Sequence, residues 1–282
     1  MESGRTILIV GGGVVGSSIA YHLRLDGHTG RVVVIERDPT YTRASSSLAM
    51  GGIRQQFSSA VNVKLAQYST RFYTTFDRRM RVPSHTPKVN FRQRGYLFLV
   101  DDASADRFES RVERQRSIGA RVERLNLDQL RVRMPDIRLD DIRFGVFGPH
   151  DGYLEPREVL AGFRAAASAA DVDYVTAEVV DLVMRSGQVE GVVLNSGERL
   201  VADAVVNAAG PFASRLAAMA GIHLPVEPVR QHLFRCALPE QWPYRFPMVI
   251  DPTGVHWRHD DALNIATPDQ LIVAHTKLDE PP

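Results

Sequence analysis

A glycine-rich turn between a short apolar run and a helical pattern is the feature that most constrains this fold. Residues 11–16 read GGGVVG, which fits G-x-G-x-x-G, and they follow the buried-strand pattern of residues 6–10. In such a turn Gly11 permits the sharp bend, Gly13 lets backbone amides approach a pyrophosphate, and Gly16 lets the helix pack closely on the strand. The apolar positions Val15, Ile19 and Leu23 predict the helix that follows.

A second apolar run at residues 31–36 ends in an acid, Glu36, which lies twenty positions after Gly16. Strand, helix and strand within about thirty residues form a parallel βαβ unit. At the tip of the second strand, Glu36 is placed to accept hydrogen bonds from the hydroxyls of an adenosine ribose. An acid there argues against a 2′-phosphate and so against NADP. The two motifs together predict a dinucleotide site, and they leave FAD and NAD open.

The charge balance argues against binding of nucleic acid. The chain of 282 residues carries 34 basic and 33 acidic side chains, for a net charge of +1. The arginines between residues 107 and 138 are interleaved with acids, which is typical of a solvated surface with ion pairs. We therefore expect a small-molecule pocket rather than a nucleic-acid partner.

Other sequence features bear on compartment and size. No apolar run approaches the ~18 residues that a membrane span needs, and few residues precede the first strand, so we expect a cytoplasmic protein with no membrane association. The lone cysteine, Cys236, cannot form an intrachain disulfide and is predicted to be a buried apolar side chain. The length predicts two lobes.

Periodicity predicts the remaining elements. Residues 38–57 read as a long loop, and residues 59–79 as a helix that buries a stripe of Val61, Leu65, Tyr68, Phe72 and Phe76. A strand at 95–100, a helix at 103–118 and a helix from Pro156 come next. The predicted antiparallel meander covers 175–184, 189–194 and 200–201. It precedes a buried strand at 204–210, a helix from Pro211 that Gly221 stops, and short strands within 226–236 and 246–275.

The organisation resembles the D-amino-acid oxidase superfamily, in particular its sarcosine oxidase and dimethylglycine dehydrogenase branch. The residues that carry the resemblance are 9–16, 34–37, 44–57, 151–156, 205–210 and 224–231. The resemblance implies an α/β fold, with a Rossmann-like FAD-binding domain interleaved with an α+β substrate domain on a largely antiparallel sheet. It implies an FAD-binding domain at 1–82 and 150–224, and a substrate domain at 83–149 and 225–282.

The resemblance also implies the residues that contact the cofactor. Its serine-rich loop after Glu36 runs beneath the FAD pyrophosphate, and Leu48 stands where some relatives carry a histidine bonded to the flavin, so we expect noncovalent FAD. The predicted contacts are Gly11, Gly13, Val14, Val15, Gly16, Glu36, Arg37, Ser45, Ser47, Met50, Gly51, Gly52, Val179, Ala209 and Gly210.

Three side chains are candidates for the substrate side. Arg54 aligns with an arginine that faces the substrate carboxylate in sarcosine-oxidase-like enzymes, although a surface or pyrophosphate contact is an equal alternative. His256 and Arg258 share one face of a predicted strand and are candidates to line a pocket, with a structural role as the alternative. His256 and His259 are three residues apart and fall on opposite faces of a strand, so no metal site is predicted.

Relatives in this superfamily continue beyond the position of Pro282, with residues that close over the flavin. The chain is therefore expected to be a fragment, a truncated product, or a protein completed by a second chain or a second copy. The implied activity is oxidation of a secondary or tertiary amine, such as an N-methyl amino acid. Oxidation of a D-amino acid, glycine or a 2-hydroxy acid is the enzymatic alternative, and a noncatalytic nucleotide-binding protein is the other.

Overall fold

The computed structural model describes residues 4–238, 242–260 and 270–275. Its helices are α1 Val14–Leu25, α2 Ala60–Tyr73, α3 Phe76–Arg79, α4 Ala105–Ser117, α5 Leu127–Arg133, α6 Pro156–Ala169 and α7 Ala213–Met219, with a 3-10 helix at Gly210–Phe212. The longest of them have 14 residues, and within these ranges no helix combines the length and apolar character needed to cross a bilayer.

Sixteen strands lie in the same ranges. They are β1 Ile7–Val10, β2 Val32–Glu36, β3 Gly52–Ile53, β4 Tyr96–Val100, β5 Glu123–Leu125, β6 Phe144–Gly148, β7 Gly152–Tyr153, β8 Asp173–Thr176, β9 Val179–Arg185, β10 Gln188–Leu194, β11 Arg199–Val201, β12 Ala204–Asn207, β13 Leu233–Ala237, β14 Met248–Ile250, β15 Val255–His259 and β16 Gln270–His275. Residues 261–269, inside the predicted run of short strands, lie outside the described residues.

A four-stranded parallel sheet, in the order β12-β1-β2-β8, is built around the predicted βαβ unit. Its central strands β1 and β2 are apolar and buried because helices such as α1 cover the sheet. The strand predicted as buried at 204–210 is only half-buried and ends at Asn207, because β12 lies at the edge of this sheet. The sequence therefore predicted the position of this strand correctly, but the prediction that it is buried was wrong.

The predicted meander is present, but its first strand is divided. β9, β10 and β11 form a three-stranded antiparallel sheet. Residues 173–176, the separate strand β8, pair instead with β2 in parallel. The backbone breaks between them because Ala177 donates its N–H to the carbonyl of Glu36, which extends the ladder of β2 rather than of β10.

A seven-stranded sheet forms the second layer, in the order β13-β16-β15-β14-β4-β6-β5. All its pairs are antiparallel except β14 with β4. The α/β class and the largely antiparallel second sheet are therefore as predicted, whereas the domain limits near residues 83, 150 and 225 stay predictions. The two-residue strands β3 and β7 pair with each other and so connect the long loop at 38–57 to Gly152 and Tyr153.

The predicted helix at 59–79 is divided into two helices. Three of the five side chains predicted to be buried in it are exposed. α2 ends at Tyr73 and α3 starts at Phe76. Val61, Leu65 and Tyr68 are exposed, at 66%, 59% and 53% of their surface, and the buried side chains are Val63, Ala66, Thr70 and Phe72. Stacking of Phe72 on Phe163 of α6, with ring centroids 5.8 Å apart, orients the helix and turns the predicted stripe outward.

The buried surfaces of α1 and β13 also depend on tertiary packing, and the prediction for Cys236 was wrong. The buried side of α1 consists of the small residues Gly16, Ser17 and Ala20, and Val15 is 60% exposed. Small residues let this helix approach the sheet closely. Cys236 is exposed rather than buried, because β13 is an edge strand whose five residues all face solvent.

The glycine turn is packed against backbone on two sides. Gly11 has φ +103°, and a Cβ on it would lie 2.4 Å from the carbonyl oxygen of Ala208, just after β12. A Cβ on Gly16 would lie 1.9 Å from the carbonyl oxygen of Gly11. A Cβ on Gly13 would meet only the hydroxyl of Ser46, at 3.4 Å. Gly11 and Gly16 are required by the packing of the fold, and Gly13 is not.

This contrast gives a test of the turn. Gly16→Ala should lower the free energy of unfolding by about 1–3 kcal/mol, because its methyl group overpacks a backbone that cannot move away. The matched variant Gly13→Ala should lose about 1 kcal/mol or less, the size of a helix-cap effect. Urea unfolding followed by circular dichroism measures both. Equal losses in the two variants would contradict the close helix-to-strand contact.

Candidate functional site

The carboxylate of Glu36 lies directly against the glycine turn. Its Oε2 accepts a hydrogen bond from the Gly12 amide at 2.8 Å, and its Oε1 accepts one from the Asp38 amide at 2.9 Å. The carboxyl ends of β1 and β2 bring the two motifs together, because neighbouring parallel strands end at the same edge of the sheet. Glu36 thus holds a negative charge beside the start of α1.

The start of α1 presents backbone amides next to a residue that has no side chain. Gly13 occupies the N-cap position without a side chain, and the amide of Val14 donates to the Ser46 hydroxyl at 3.0 Å. Val15, in the first turn, is largely exposed. The amides and the dipole at the N-terminus of a twelve-residue helix favour an anion there. These residues therefore fit the pyrophosphate of a dinucleotide.

Three other predicted contacts lie at the same edge of the parallel sheet. The Arg37 guanidinium lies 4.4 Å from the ring centroid of Phe212 and 3.8 Å from Glu178, the residue before Val179. The position of a Cβ on Gly11 is 3.1 Å from the Cα of Ala209, which precedes Gly210. The ends of β2 and β12 thus bring Arg37, Ala209 and Gly210 to the edge where β1 ends, whereas Val179 begins β9 in the antiparallel sheet and its contact with the cofactor stays a prediction.

The serine-rich loop is held by contacts that the sequence did not reveal. Ser46, rather than the predicted Ser45 or Ser47, lies at the helix start. Ser45 is exposed, and the backbone carbonyl of Ser47 accepts a hydrogen bond from Arg157 at 3.1 Å. The direction of each side chain in an irregular loop depends on backbone dihedrals that residue types alone do not determine. The sequence contains no signal that distinguishes the three serines from one another.

Tyr41 is a second residue that sequence reasoning missed. Its hydroxyl lies 2.6 Å from the position that a Cβ on Gly12 would take, and only 5% of the residue is exposed. The Arg164 guanidinium lies 4.5 Å from its ring centroid. Burial raises the pKa of Tyr41 well above its usual value, so the phenol stays protonated next to the glycine turn.

The next part of the loop packs against the substrate-side sheet. The Met50 carbonyl accepts a hydrogen bond from Nε of Arg258 at 2.7 Å. A Cβ on Gly51, whose φ is +77°, would lie 2.1 Å from the carbonyl oxygen of Leu154. A Cβ on Gly52 would lie 2.9 Å from the sulfur of Met248. Both glycines are explained by close packing, and their predicted contact with the cofactor stays a prediction.

Arg54 lies where the loop meets the aromatic face of β4. Its guanidinium is 4.9 Å from the ring centroid of Phe57, 5.3 Å from that of Phe98 and 5.5 Å from that of Tyr96. Burial raises the pKa of Tyr96, and the positive charge of Arg54 opposes that rise. Arg54 also lines a cavity of about 230 Å³ with Gln56, Phe57, Ser58, Phe98, Phe108, Arg111, Val112, Gln115 and Val146.

His256 and Arg258 do not line this cavity. Arg258 is 1% exposed, donates to the carbonyls of Met50 and His259, and lies 4.8 Å from the ring centroid of Tyr153. His256 is half-buried, with Nδ1 3.0 Å from the Gly254 carbonyl oxygen. The structure thus places Arg258 as a support of the loop, and a role in catalysis for either residue stays a prediction.

The ring of His259 lies 3.9 Å, centroid to centroid, from that of Phe246. Over the described ranges, no three His, Cys, Asp or Glu side chains are grouped as a metal ion would require.

Asp151 is a buried carboxyl that ties the loop to the end of β6. It is 1% exposed, and it accepts hydrogen bonds from the Gln55 amide at 2.9 Å and from Nε2 of Gln56 at 3.1 Å. Burial raises the pKa of Asp151 to about 7, although the hydrogen bonds from Gln56 and Gln55 and the charge of Arg54 act in the opposite direction. Asp151 belongs to the run 151–156 that carries the family resemblance, and the sequence predicts no role for it.

The raised pKa predicts a pH-dependent stability. The native state binds a proton at Asp151 that the unfolded chain releases near pH 4, so the stabilisation is complete below that pH and is lost as pH rises through about 7. Asp151→Asn should remove a slope of up to about 1.4 kcal/mol per pH unit from the free energy of unfolding. Urea titrations between pH 4.5 and 8 measure it.

The exposed carboxylate of Asp140, paired with Arg138 on the surface, supplies the control. Asp140→Asn should keep the wild-type slope. A wild-type slope that survives in Asp151→Asn would exclude Asp151 as the titrating group.

Comparison with known proteins agrees with this geometry. The model of the family DAO, FAD dependent oxidoreductase, matches residues 6–281. The chain is 32% identical over 291 residues to FAD-dependent oxidoreductase domain-containing protein 1 of Bos taurus, covering 90% of this chain and 59% of that protein. It is 30% identical over 228 residues to glycine oxidase of Geobacillus kaustophilus, covering 79% of this chain and 59% of that protein. The chain therefore spans about three-fifths of the length of these relatives.

Among solved structures, the L-proline dehydrogenase of P. horikoshii matches with a TM-score of 0.78 and 24% identity, over 96% of this chain and 70% of that one. This match supports the shared fold. The extent of the family match, together with the glycine turn, Glu36 and the open start of α1, shows that the chain belongs to the DAO family of FAD-dependent oxidoreductases.

Proposed function

We propose that this chain belongs to an enzyme that oxidises a secondary or tertiary amine, such as an N-methyl amino acid, with noncovalent FAD. The observation that carries the proposal is the position of Arg54. It stands four residues after Met50, on the loop that follows the dinucleotide crevice, and its guanidinium lies over the aromatic rings at the cavity.

The residues of this chain have distinct roles in that scheme. Gly13, Val14 and Glu36 hold the pyrophosphate and ribose, and Arg54 orients the substrate carboxylate with its fork of donors. Bound FAD would accept a hydride from the carbon beside the amine nitrogen, leaving an imine that water hydrolyses. The scheme requires no side chain to act as an obligate base. Leu48, which is 52% exposed, cannot bond the flavin covalently.

Glycine, a primary amine, is the second candidate substrate. It is favoured by the 30% identity to a glycine oxidase over 79% of this chain. The two candidates differ in whether the amine nitrogen carries an alkyl substituent, so one panel of amines separates them.

The first test is an absorption spectrum of the purified chain, recorded before and after acid precipitation. Flavin should be released by acid, and anaerobic sarcosine, dimethylglycine or proline should bleach the bound flavin more than glycine does. Bleaching by glycine alone would replace the N-methyl substrate with the primary amine. A folded chain that binds no FAD would reject the proposal that these residues form an enzyme.

The second test concerns Arg54. Arg54→Gln should keep the flavin and raise the apparent Kd for the amino-acid substrate about 10-fold or more, the effect of one lost charge-assisted hydrogen bond. Stopped-flow flavin reduction measures this Kd. Arg133→Gln is the matched control, since Arg133 is exposed and lies over another ring, that of Phe147 at 4.0 Å. A change below about 2-fold in Arg54→Gln would reject carboxylate binding by this residue.

A further inference from the structure

The cavity beside Arg54 contains a second guanidinium that the proposed reaction does not use. Arg111, on α4, lines it together with Arg54, and none of its lining residues is acidic. Arg111 is half-buried, 5.6 Å from the ring centroid of Phe108. The carboxyl of Asp151, on which the charge of Arg54 acts, lies outside this lining, so two cations in one small aromatic cavity favour a ligand that carries two negative charges.

Two buried glutamines in the cavity wall leave acceptors unused. Gln56 donates through Nε2 to the Tyr96 carbonyl at 2.9 Å, and Gln115 donates through Nε2 to the Phe57 carbonyl at 3.0 Å. Each is more than nine-tenths buried, and its Oε1 has no hydrogen-bond partner among the described residues. An unsatisfied buried acceptor costs free energy. Because neither oxygen is accessible to water, the two glutamines close the cavity wall rather than offer an acceptor to a ligand.

The cavity is small. Its volume of about 230 Å³ is below the ~300 Å³ at which pockets for drug-sized ligands begin. It therefore suits a compact acid and excludes a long peptide or an acyl chain. Two carboxylates match the two arginines, and the amine between them is the group that the proposed reaction oxidises.

We propose that this cavity binds an amino dicarboxylic acid and that Arg111 is the residue that selects a dicarboxylate over a monocarboxylate. Arg54 faces one carboxylate and Arg111 faces the other. The inference rests on the proposed function, because it names the substrate class of the same site. Arg111 is a specificity residue in this proposal and takes no part in hydride transfer.

A binding experiment tests the proposal without turnover. Calorimetry on the FAD-loaded chain uses glutarate, an unreactive dicarboxylate, and butyrate, its monocarboxylate counterpart. Glutarate should bind about 10-fold or more tightly than butyrate, which is the effect of one added charge-assisted pair. Arg111→Gln should remove this difference by weakening glutarate alone, and Arg111→Lys should restore part of it.

Arg107→Gln is the matched control. Arg107 lies on the same helix, contacts the same ring of Phe108 at 5.8 Å, is exposed and does not line the cavity. It should leave both affinities within about 2-fold. Thermal unfolding without ligand checks that each variant is folded. Equal binding of the two acids by the wild type, or an equal loss in Arg107→Gln and Arg111→Gln, would overturn the proposal.

Flavin reduction by iminodiacetate and by sarcosine separates this inference from the proposed function. If glutarate binding depends on Arg111 but no amine bleaches the flavin, the cavity assignment stands and the proposed reaction fails. If sarcosine bleaches the flavin as well as iminodiacetate does and Arg111→Gln changes neither rate, the reaction stands and the selection of a dicarboxylate is rejected.

Discussion

The contact between Gly16 and the carbonyl of Gly11 is the constraint on which the rest of this structure depends. A methyl group at Gly16 would come within 1.9 Å of that oxygen. Only with glycine there can α1 begin directly at the end of β1 and direct its amides into the crevice. The same turn abuts Ala208, so the closeness of helix and strand also brings β12 to the site. One steric condition thereby assembles the parallel sheet and the dinucleotide crevice together.

A second set of contacts, made by buried polar side chains, joins the two layers of the molecule. Arg258, from the seven-stranded sheet, donates to the carbonyl of Met50 in the loop that leaves the crevice. Asp151, beside β6, holds Gln55 and Gln56 a few residues further along. Between these two fixed points the loop presents Arg54 to the cavity. Buried hydrogen bonds such as these hold one geometry because a displacement leaves their polar groups unpaired in a medium of low polarity. The position of Arg54 is therefore set by residues outside the loop.

The charge distribution follows from the same arrangement. The crevice has a carboxylate at Glu36, which suits ribose hydroxyls, whereas the cavity has guanidinium groups at Arg54 and Arg111, which suit acids. The acid that suits the ribose and the arginines that suit an acidic ligand therefore lie at the two ends of one loop. A net charge near zero would not reveal this, because the separation is local.

The sequence alone determined the elements whose signals are local. The βαβ unit, Glu36, the helix from Pro156, the meander and the family were all readable, because glycine spacing and apolar periodicity report on backbone close to them in the chain. Tertiary structure decided which face of α2 is buried, where Cys236 lies, and that Ser46 rather than Ser45 meets the helix start. It also brought Arg111 and Gln115 to Arg54 across more than fifty residues. Those outcomes depend on packing between distant segments, and residue type and spacing do not encode which segments will meet.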